Sequence, residues 1–148
     1  MKCIIQRVSS SKVTVDDKVI GSIGTGLNIL LGVLKGDSSE DVKKLVTKIV
    51  NLRIFQDENN KMNLSLLDIK GEALIISQFT LAGNIKKGRR PSFDNSEIPK
   101  IAKELYEEFV KEISVFGIKT QTGEFGAMMD VEIHNDGPVT FIVDSKEL

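Results

Sequence analysis

Tryptophan is absent from these 148 residues, aromatics make up 5% of them, and cysteine and histidine occur once each. A single cysteine, Cys3, excludes an internal disulfide framework and any multi-cysteine zinc site. It falls in the first strand pattern and reads as a small core side chain. A single imidazole, His134, leaves one position for the base of a serine–histidine–acid triad. It lies in a strand pattern one residue before a turn, where a structural or surface role is favoured over a base. With no ligand set for a metal and no phosphate-cradling glycine motif, neither metal nor cofactor is expected. Gly21, Gly24 and Gly26 lie between two strands, not before a helix, which makes them turn chemistry. No apolar run approaches the ~18 residues of a membrane span. The start, Met1-Lys2-Cys3-Ile4-Ile5-Gln6-Arg7, meets charge after two apolar residues and cannot be a signal-peptide core. An excess of one charge is missing too: 20 Lys and Arg face 21 Asp and Glu, for a net charge of −1. That balance excludes an acidic or basic tail protein and argues against a surface coated for nucleic acid, though not against a local patch. The expectation is a soluble, cytoplasmic protein with no membrane partner.

What is present suits one α/β domain over residues 1–148. Hydrophobic residues are 41% of the chain, and a chain this long can bury about 68–70% of its unfolded surface. Residues 2–8 are rich in Ile and Val. Lys12–Val15 and Lys18–Ile23 flank Asp16-Asp17 as a hairpin. Leu27–Val33, an apolar run between glycines, suits a strand buried on both faces. Val42, Leu45, Val46, Ile49 and Val50 form a helical stripe, with Asp37 and Glu40 as its expected capping pair. Arg53–Gln56 and Glu72–Gln78 read as strands. A second helix fits Pro99–Phe116, with Ile101, Leu105, Phe109 and Ile113 as its stripe. Lys119–Thr122, Met128–His134 and Val139–Val143 read as three further strands. The expected fold is a single mixed-sheet domain with curved, barrel-like β layers and two helices packed on one face.

Three polar clusters sit at element ends. At Ser77-Gln78-Phe79-Thr80 a long apolar strand turns polar. The pattern favours a strand end capped by hydroxyls, but the same groups could grip a substrate carbonyl or a water. Lys86-Lys87-Gly88-Arg89-Arg90 holds four cations within five positions, beside Pro91, Ser92 and Phe93. A solvated loop and a phosphate-binding loop are equally open readings. Asn135-Asp136-Gly137-Pro138-Val139-Thr140 reads as a turn between strands, or as a Gly-Pro segment presenting bare carbonyls.

Together these segments closely resemble the D-aminoacyl-tRNA deacylases, the D-tyrosyl-tRNA deacylase family, along essentially the whole chain. The matching blocks are Ile5-Gln6-Arg7-Val8, Asn51-Leu52-Arg53-Ile54-Phe55, Lys61-Met62-Asn63-Leu64-Ser65 and Lys87-Gly88-Arg89-Arg90-Pro91-Ser92-Phe93. The two signatures are Ser77-Gln78-Phe79-Thr80-Leu81 and Asn135-Asp136-Gly137-Pro138-Val139-Thr140. The resemblance implies a homodimer that hydrolyses the ester joining a D-amino acid to the 3′ end of tRNA, a chiral proofreading step in translation quality control. It implies that Ser77, Gln78, Phe79 and Thr80 form the pocket floor. Gly137-Pro138 is expected to be cis, to enter the partner's pocket and to act as a backbone wall against L-amino acids, with Arg7 bracing it. The segment Phe125-Gly126-Ala127-Met128-Met129 matches the part of the family that receives the terminal adenosine. Composition alone would make Phe125 and Met129 ordinary core residues.

An aminoacyl ester is already activated, so the enzyme needs positioning and charge stabilisation more than a strong nucleophile. Thr80 has no visible base beside it. The resemblance favours water activated with help from the tRNA's own 2′-hydroxyl, and phosphate contacts from Lys86, Lys87, Arg89 and Arg90. A wall that excludes a Cβ cannot exclude glycine, so glycyl-tRNA is an expected substrate. Two other classes remain open: a non-catalytic RNA-binding module using Phe93 as a stacking platform, and a hydrolase of small D-amino-acid esters.

Overall fold

The two parallel connections of the sheet are made by its two helices. In the computed structural model, which describes residues 1–148, Gly26–Gly32 (β3) lies parallel to Glu72–Ser77 (β6), and β6 lies parallel to Lys119–Thr122 (β7). Parallel neighbours need a crossover. Ser39–Asn51 (α1) lies within the first and Pro99–Val115 (α2) within the second. The short pair Phe55–Gln56 (β4) and Met62–Leu64 (β5) forms a separate ribbon after α1.

The antiparallel half is built on Lys2–Val15 (β1), one 14-residue strand where two short ones were expected. Its start pairs with β3 and its end with Lys18–Ile23 (β2), while Asp130–Asp144 (β8) runs along its other edge. Asp16 and Asp17 both have positive φ, the backbone that a two-residue hairpin demands. β8 is likewise continuous. The expected turn at Asn135–Thr140 is a bulge within it: Gln6 pairs with Thr140 and Val8 with Asn135, so Arg7 alone faces four residues, Asp136 to Val139. At Gly26 the strands approach so closely that a Cβ would overlap the Glu72 carbonyl oxygen.

Alternation along the strands sorts the apolar residues onto two faces. One face carries Cys3, Ile5, Leu27, Ile29, Leu31, Ala73 and Ile75, and both helices cover it with Val42, Leu45, Val46, Ile49, Leu105, Tyr106, Phe109 and Ile113. The other carries Val8, Val13, Ile23, Leu74 and Ile76 inside the curl of the sheet. The helices thus share one face of a nearly closed, barrel-like sheet, as expected. Two details differ. Ile101 is exposed, and Tyr106 takes its place in the stripe. The capping pair of α1 is Ser38 and Asp41, whose carboxylate accepts from the Ser38 amide and hydroxyl at 2.9 and 3.1 Å. Asp37 is engaged elsewhere, by the Met1 α-amino group and the Leu34 amide, at 2.7 Å each. Burial pushes the Cys3 thiol up to about 12, so it stays protonated and inert in the core. No helix is long and apolar enough to cross a membrane.

Candidate active site

Ser77 and Gln78 stand at the carboxyl end of β6, where the polypeptide leaves the sheet in a 3-10 turn over Phe79–Ala82. The turn is held to the end of β3, since the Gln78 amide donates to the Leu31 carbonyl at 2.7 Å. Ser77 and Gln78 are half-buried, whereas Phe79 and Thr80 face solvent, Phe79 with 56% of its surface exposed. The Gln78 side-chain amide donates to the Thr80 hydroxyl. Thr80 is therefore an acceptor in that pair and keeps its own proton for donation outward. No imidazole, amine or carboxylate hydrogen-bonds to Thr80.

The segment after β7 is brought to the same end of β6. The Gly123 amide donates to the Ile75 carbonyl at 3.2 Å, and the Tyr106 hydroxyl donates to the same oxygen at 2.7 Å. Burial pushes the Tyr106 phenol above its ordinary range, which keeps it a donor. Met129 packs among the inner residues beside Ile76, and the Phe125 ring lies 5.8 Å from that of Tyr106. Gly126 is exposed with φ of +81°, and Ala127 is half-buried. An open recess of about 450 Å³, lined by Tyr106, Val110, Gly123, Glu124 and Phe125 among others, lies at this corner. That size suits a small ligand group.

The basic residues form a finger. Asn84 and Ser92 exchange two backbone hydrogen bonds, at 2.8 and 3.0 Å, and Gly88 turns the tip with φ of +73°. Lys86, Lys87, Arg89 and Arg90 are all exposed on it, and none is within ion-pair distance of a carboxylate.

Gly137-Pro138 sits elsewhere. Its peptide bond is cis, and Gly137 has φ of +129°. Beneath it Arg7, almost wholly buried, donates through Nε to the Asp136 carbonyl at 3.1 Å and through Nη1 to the Ile54 carbonyl at 2.7 Å. Its Nε also lies 3.1 Å from the Asp136 carboxylate. A Cβ on Gly137 would lie 2.8 Å from Val139 Cγ2 and 3.2 Å from Arg7 Nη2, so only glycine fits. Within the chain this segment does not meet Ser77–Thr80. Val143, Cys3, Leu31 and Ser77 share one row of the ladder, while Arg7 marks the bulge. The two lie about 13 Å apart along the strands and about 14 Å across three strand spacings. The outer edge of β8 is unpaired, and Ile142 and Phe141 on it are 77% and 41% exposed.

Sequence reasoning found the polar clusters and missed the scaffolding beneath them. Tyr106 and Ile54 have side chains typical of a core, and nothing in the pattern marks Tyr106 as the clamp on Ile75 or the Ile54 carbonyl as the seat of Arg7.

A sequence model of the family described as D-Tyr-tRNA(Tyr) deacylase matches residues 4–144. The D-aminoacyl-tRNA deacylase of Persephonella marina is 66% identical over 148 residues, covering 100% of each chain. That of Aquifex aeolicus is 63% identical over the same span, again covering 100% of each. Among solved structures, the c-Myc DNA Unwinding Element Binding Protein superposes with a TM-score of 0.91 at 37% identity, covering 97% of this chain and 98% of its own.

Proposed function

The chain belongs to the D-Tyr-tRNA(Tyr) deacylase family, and from that premise we propose how its residues divide the work of cleaving an ester on tRNA. It is an ester hydrolase with D-aminoacyl-tRNA as substrate. The finer reading is that it rejects L-aminoacyl-tRNA through a backbone wall, and that the wall works in the pocket of a second copy. The observation that carries this is the bulge in β8: four residues are pushed out of the ladder at Gly137-Pro138, and buried Arg7 ties the first of them, Asp136, to the Ile54 carbonyl. A segment so pinned, yet remote from the pocket of its own protomer, is built to act on another surface. The unpaired edge of β8 with its exposed Phe141 and Ile142 supports a homodimer.

In this reading Ser77, Gln78, Phe79 and Thr80 hold the aminoacyl group, and Phe125, Gly126, Ala127 and Met129 receive the terminal adenosine beside the 450 Å³ recess. The Gly137 and Pro138 carbonyls of the partner copy accept from the substrate's α-ammonium group. A D-residue then turns its side chain to solvent, while an L-residue drives its Cβ into the wall. Selection acts by exclusion and ignores side-chain identity. Water, activated with help from the terminal 2′-hydroxyl, adds to the ester carbonyl. The carbonyl–O3′ bond breaks, and the 3′ oxygen leaves with a proton as free tRNA. Thr80, with its proton directed outward, suits a donor to the carbonyl oxygen better than a nucleophile. The fingertip cations contact acceptor-stem phosphates without reading sequence.

The test is deacylation of D-alanyl-, L-alanyl- and glycyl-tRNA by wild type and Gly137→Ala. D-alanyl and glycyl esters are cleaved by wild type and the L-alanyl ester is spared. Gly137→Ala, crowded against Val139 and Arg7, loses activity on both substrates. Wild type that cleaves D-alanyl-tRNA but spares glycyl-tRNA at high enzyme concentration overturns the wall.

A further inference from the structure

The pocket floor and the cationic finger touch through one pair of rings. Phe79, in the 3-10 turn, and Phe93, at the base of the finger, have centroids 5.0 Å apart at an angle of 58°. Gly83, which joins turn to finger, packs against the same ring, since a Cβ there would lie 3.1 Å from Phe93 Cε1. The base is clamped from both sides. On one, the Gly83 amide donates to the Thr80 carbonyl at 2.9 Å; on the other, the Lys35 amide donates to Asn95 at 2.9 Å and the Ser96 amide to Phe93 at 2.9 Å. Phe93 thus stands where rotation of the finger would be passed to Phe79 and Thr80.

We infer that Phe93 is a positioning residue, coupling phosphate engagement at Lys86–Arg90 to the alignment of the ester over Ser77–Thr80. The inference rests on the deacylase reading above and adds a role that reading does not need. Binding energy from a remote part of a substrate accelerates the reaction only when it is expressed as orientation at the reacting centre. Between a finger on flexible side chains and a pocket 3-10 turn, a stiff aromatic contact supplies that link. Without it the phosphates still bind, but they no longer fix the ester.

The experiment measures kcat and KM of the full chain on D-tyrosyl-tRNA and on D-tyrosyl-adenosine, which carries the same ester without phosphates. Phe93→Ala lowers kcat on the tRNA about tenfold with KM changed less than twofold, and its kcat/KM falls about tenfold more for the tRNA than for the adenosine ester. Phe93→Tyr restores the rate, while Phe93→Leu, which keeps bulk without the ring, does not. In a background with Lys87, Arg89 and Arg90 reversed to Glu, Phe93→Ala costs little more, because there is no phosphate engagement left to transmit. Equal losses on both esters would make Phe93 a plain part of the pocket floor and overturn the coupling. A rise in KM alone, or no loss at all, overturns it too. Wild type that cleaves neither ester overturns the deacylase reading itself, a result none of the other outcomes resembles.

Discussion

Two regions of this molecule use charge in opposite ways. Where α1 begins, beside the last residues of the chain, the charges of Met1, Asp37 and Asp41 are buried and partnered, with Lys146 reaching in from the surface. The Met1 α-amino group lies 2.7 Å from both Asp37 and Ser145, Ser145 donates to Asp41 at 2.7 Å, and Lys146 reaches Asp41 at 2.9 Å. On the finger, Lys86, Lys87, Arg89 and Arg90 are exposed and unpaired. Buried charges must be matched or they destabilise the fold. Exposed ones cost almost nothing and stay free for an outside anion. Substitutions in the first region should therefore report on stability, and those in the second on ligand.

The largest effect is expected from Asp37→Ala, which strands a buried ammonium group. Removing one partner of such a pair costs about 3–5 kcal/mol, a fall in melting temperature of roughly 6–20 °C for a chain of this size. Calorimetry reads it directly, and turnover per folded molecule should hold. A fall under about 2 °C would mean that the network is loose. Reversing Lys87, Arg89 and Arg90 to Glu should do the converse. Melting stays within about 0.5 kcal/mol of wild type, while three lost phosphate contacts weaken tRNA binding by roughly a hundredfold at 0.1 M salt and flatten the log–log salt slope by about 2 to 3. If D/L discrimination falls while affinity holds, the finger belongs to the pocket and the contrast between the regions fails.

This division was half legible from sequence. The finger could be read as an exposed cationic loop because four cations beside a glycine need no tertiary context to face solvent. The terminal network could not. Asp37, Asp41, Ser145 and Lys146 are ordinary surface residues in a linear reading, and only folding brings positions separated by 104 residues into a hydrogen bond. The same limit explains the capping error: Asp37 looked available to α1 until the Met1 ammonium group claimed it. Strand content was read well where an apolar run was nearly unbroken, as in β3 and β6. It failed at Gly137-Pro138, because a bulge and a turn have the same local composition, and only the partner strand β1 distinguishes them. Ser77–Thr80, the proposed pocket floor, was weak on pattern and became a candidate through family resemblance. Behind it, Tyr106 and Gly123 meet at the Ile75 carbonyl, contacts with no signature in sequence.

A smaller effect, with a pH signature, is expected at Asp41. Burial opposes its charge, but hydrogen bonds from Ser145, Lys146 and Ser38 outweigh that and hold the carboxyl well below the usual carboxylate range. A group depressed in the folded state contributes stability above its unfolded pKa of about 3.9, and that contribution is lost as pH falls through the folded value. Asp41→Asn should cost about 2 kcal/mol at pH 7. The gap between variant and wild type should narrow below about pH 4, as measured by urea unfolding across the acid range. A gap independent of pH would assign the loss to packing, not charge.

The smallest effect is expected at His134, and it tests whether a third region belongs with the active one. His134 is exposed on β8 opposite Ser10, with the Lys12–Glu132 ion pair as its neighbour on the same face. Its carbonyl accepts from Ser9 at 3.3 Å, a bond that alanine would keep. The cluster of serines, lysine, glutamate and histidine resembles catalytic equipment in composition. Its geometry does not: no hydroxyl is hydrogen-bonded to the ring, and no three metal-ligating side chains converge anywhere in the chain. Along the ladder it lies beyond the bulge, on the far side from Ser77. An imidazole there cannot reach Ser77–Thr80 of its own chain. His134→Ala should change kcat/KM on D-tyrosyl-tRNA by less than about twofold and stability by less than about 0.5 kcal/mol, with activity retained in chelator. A tenfold loss of turnover without loss of stability would bring this face into the reaction. It would also require the partner copy to present His134 at the pocket together with Gly137-Pro138 of the same strand.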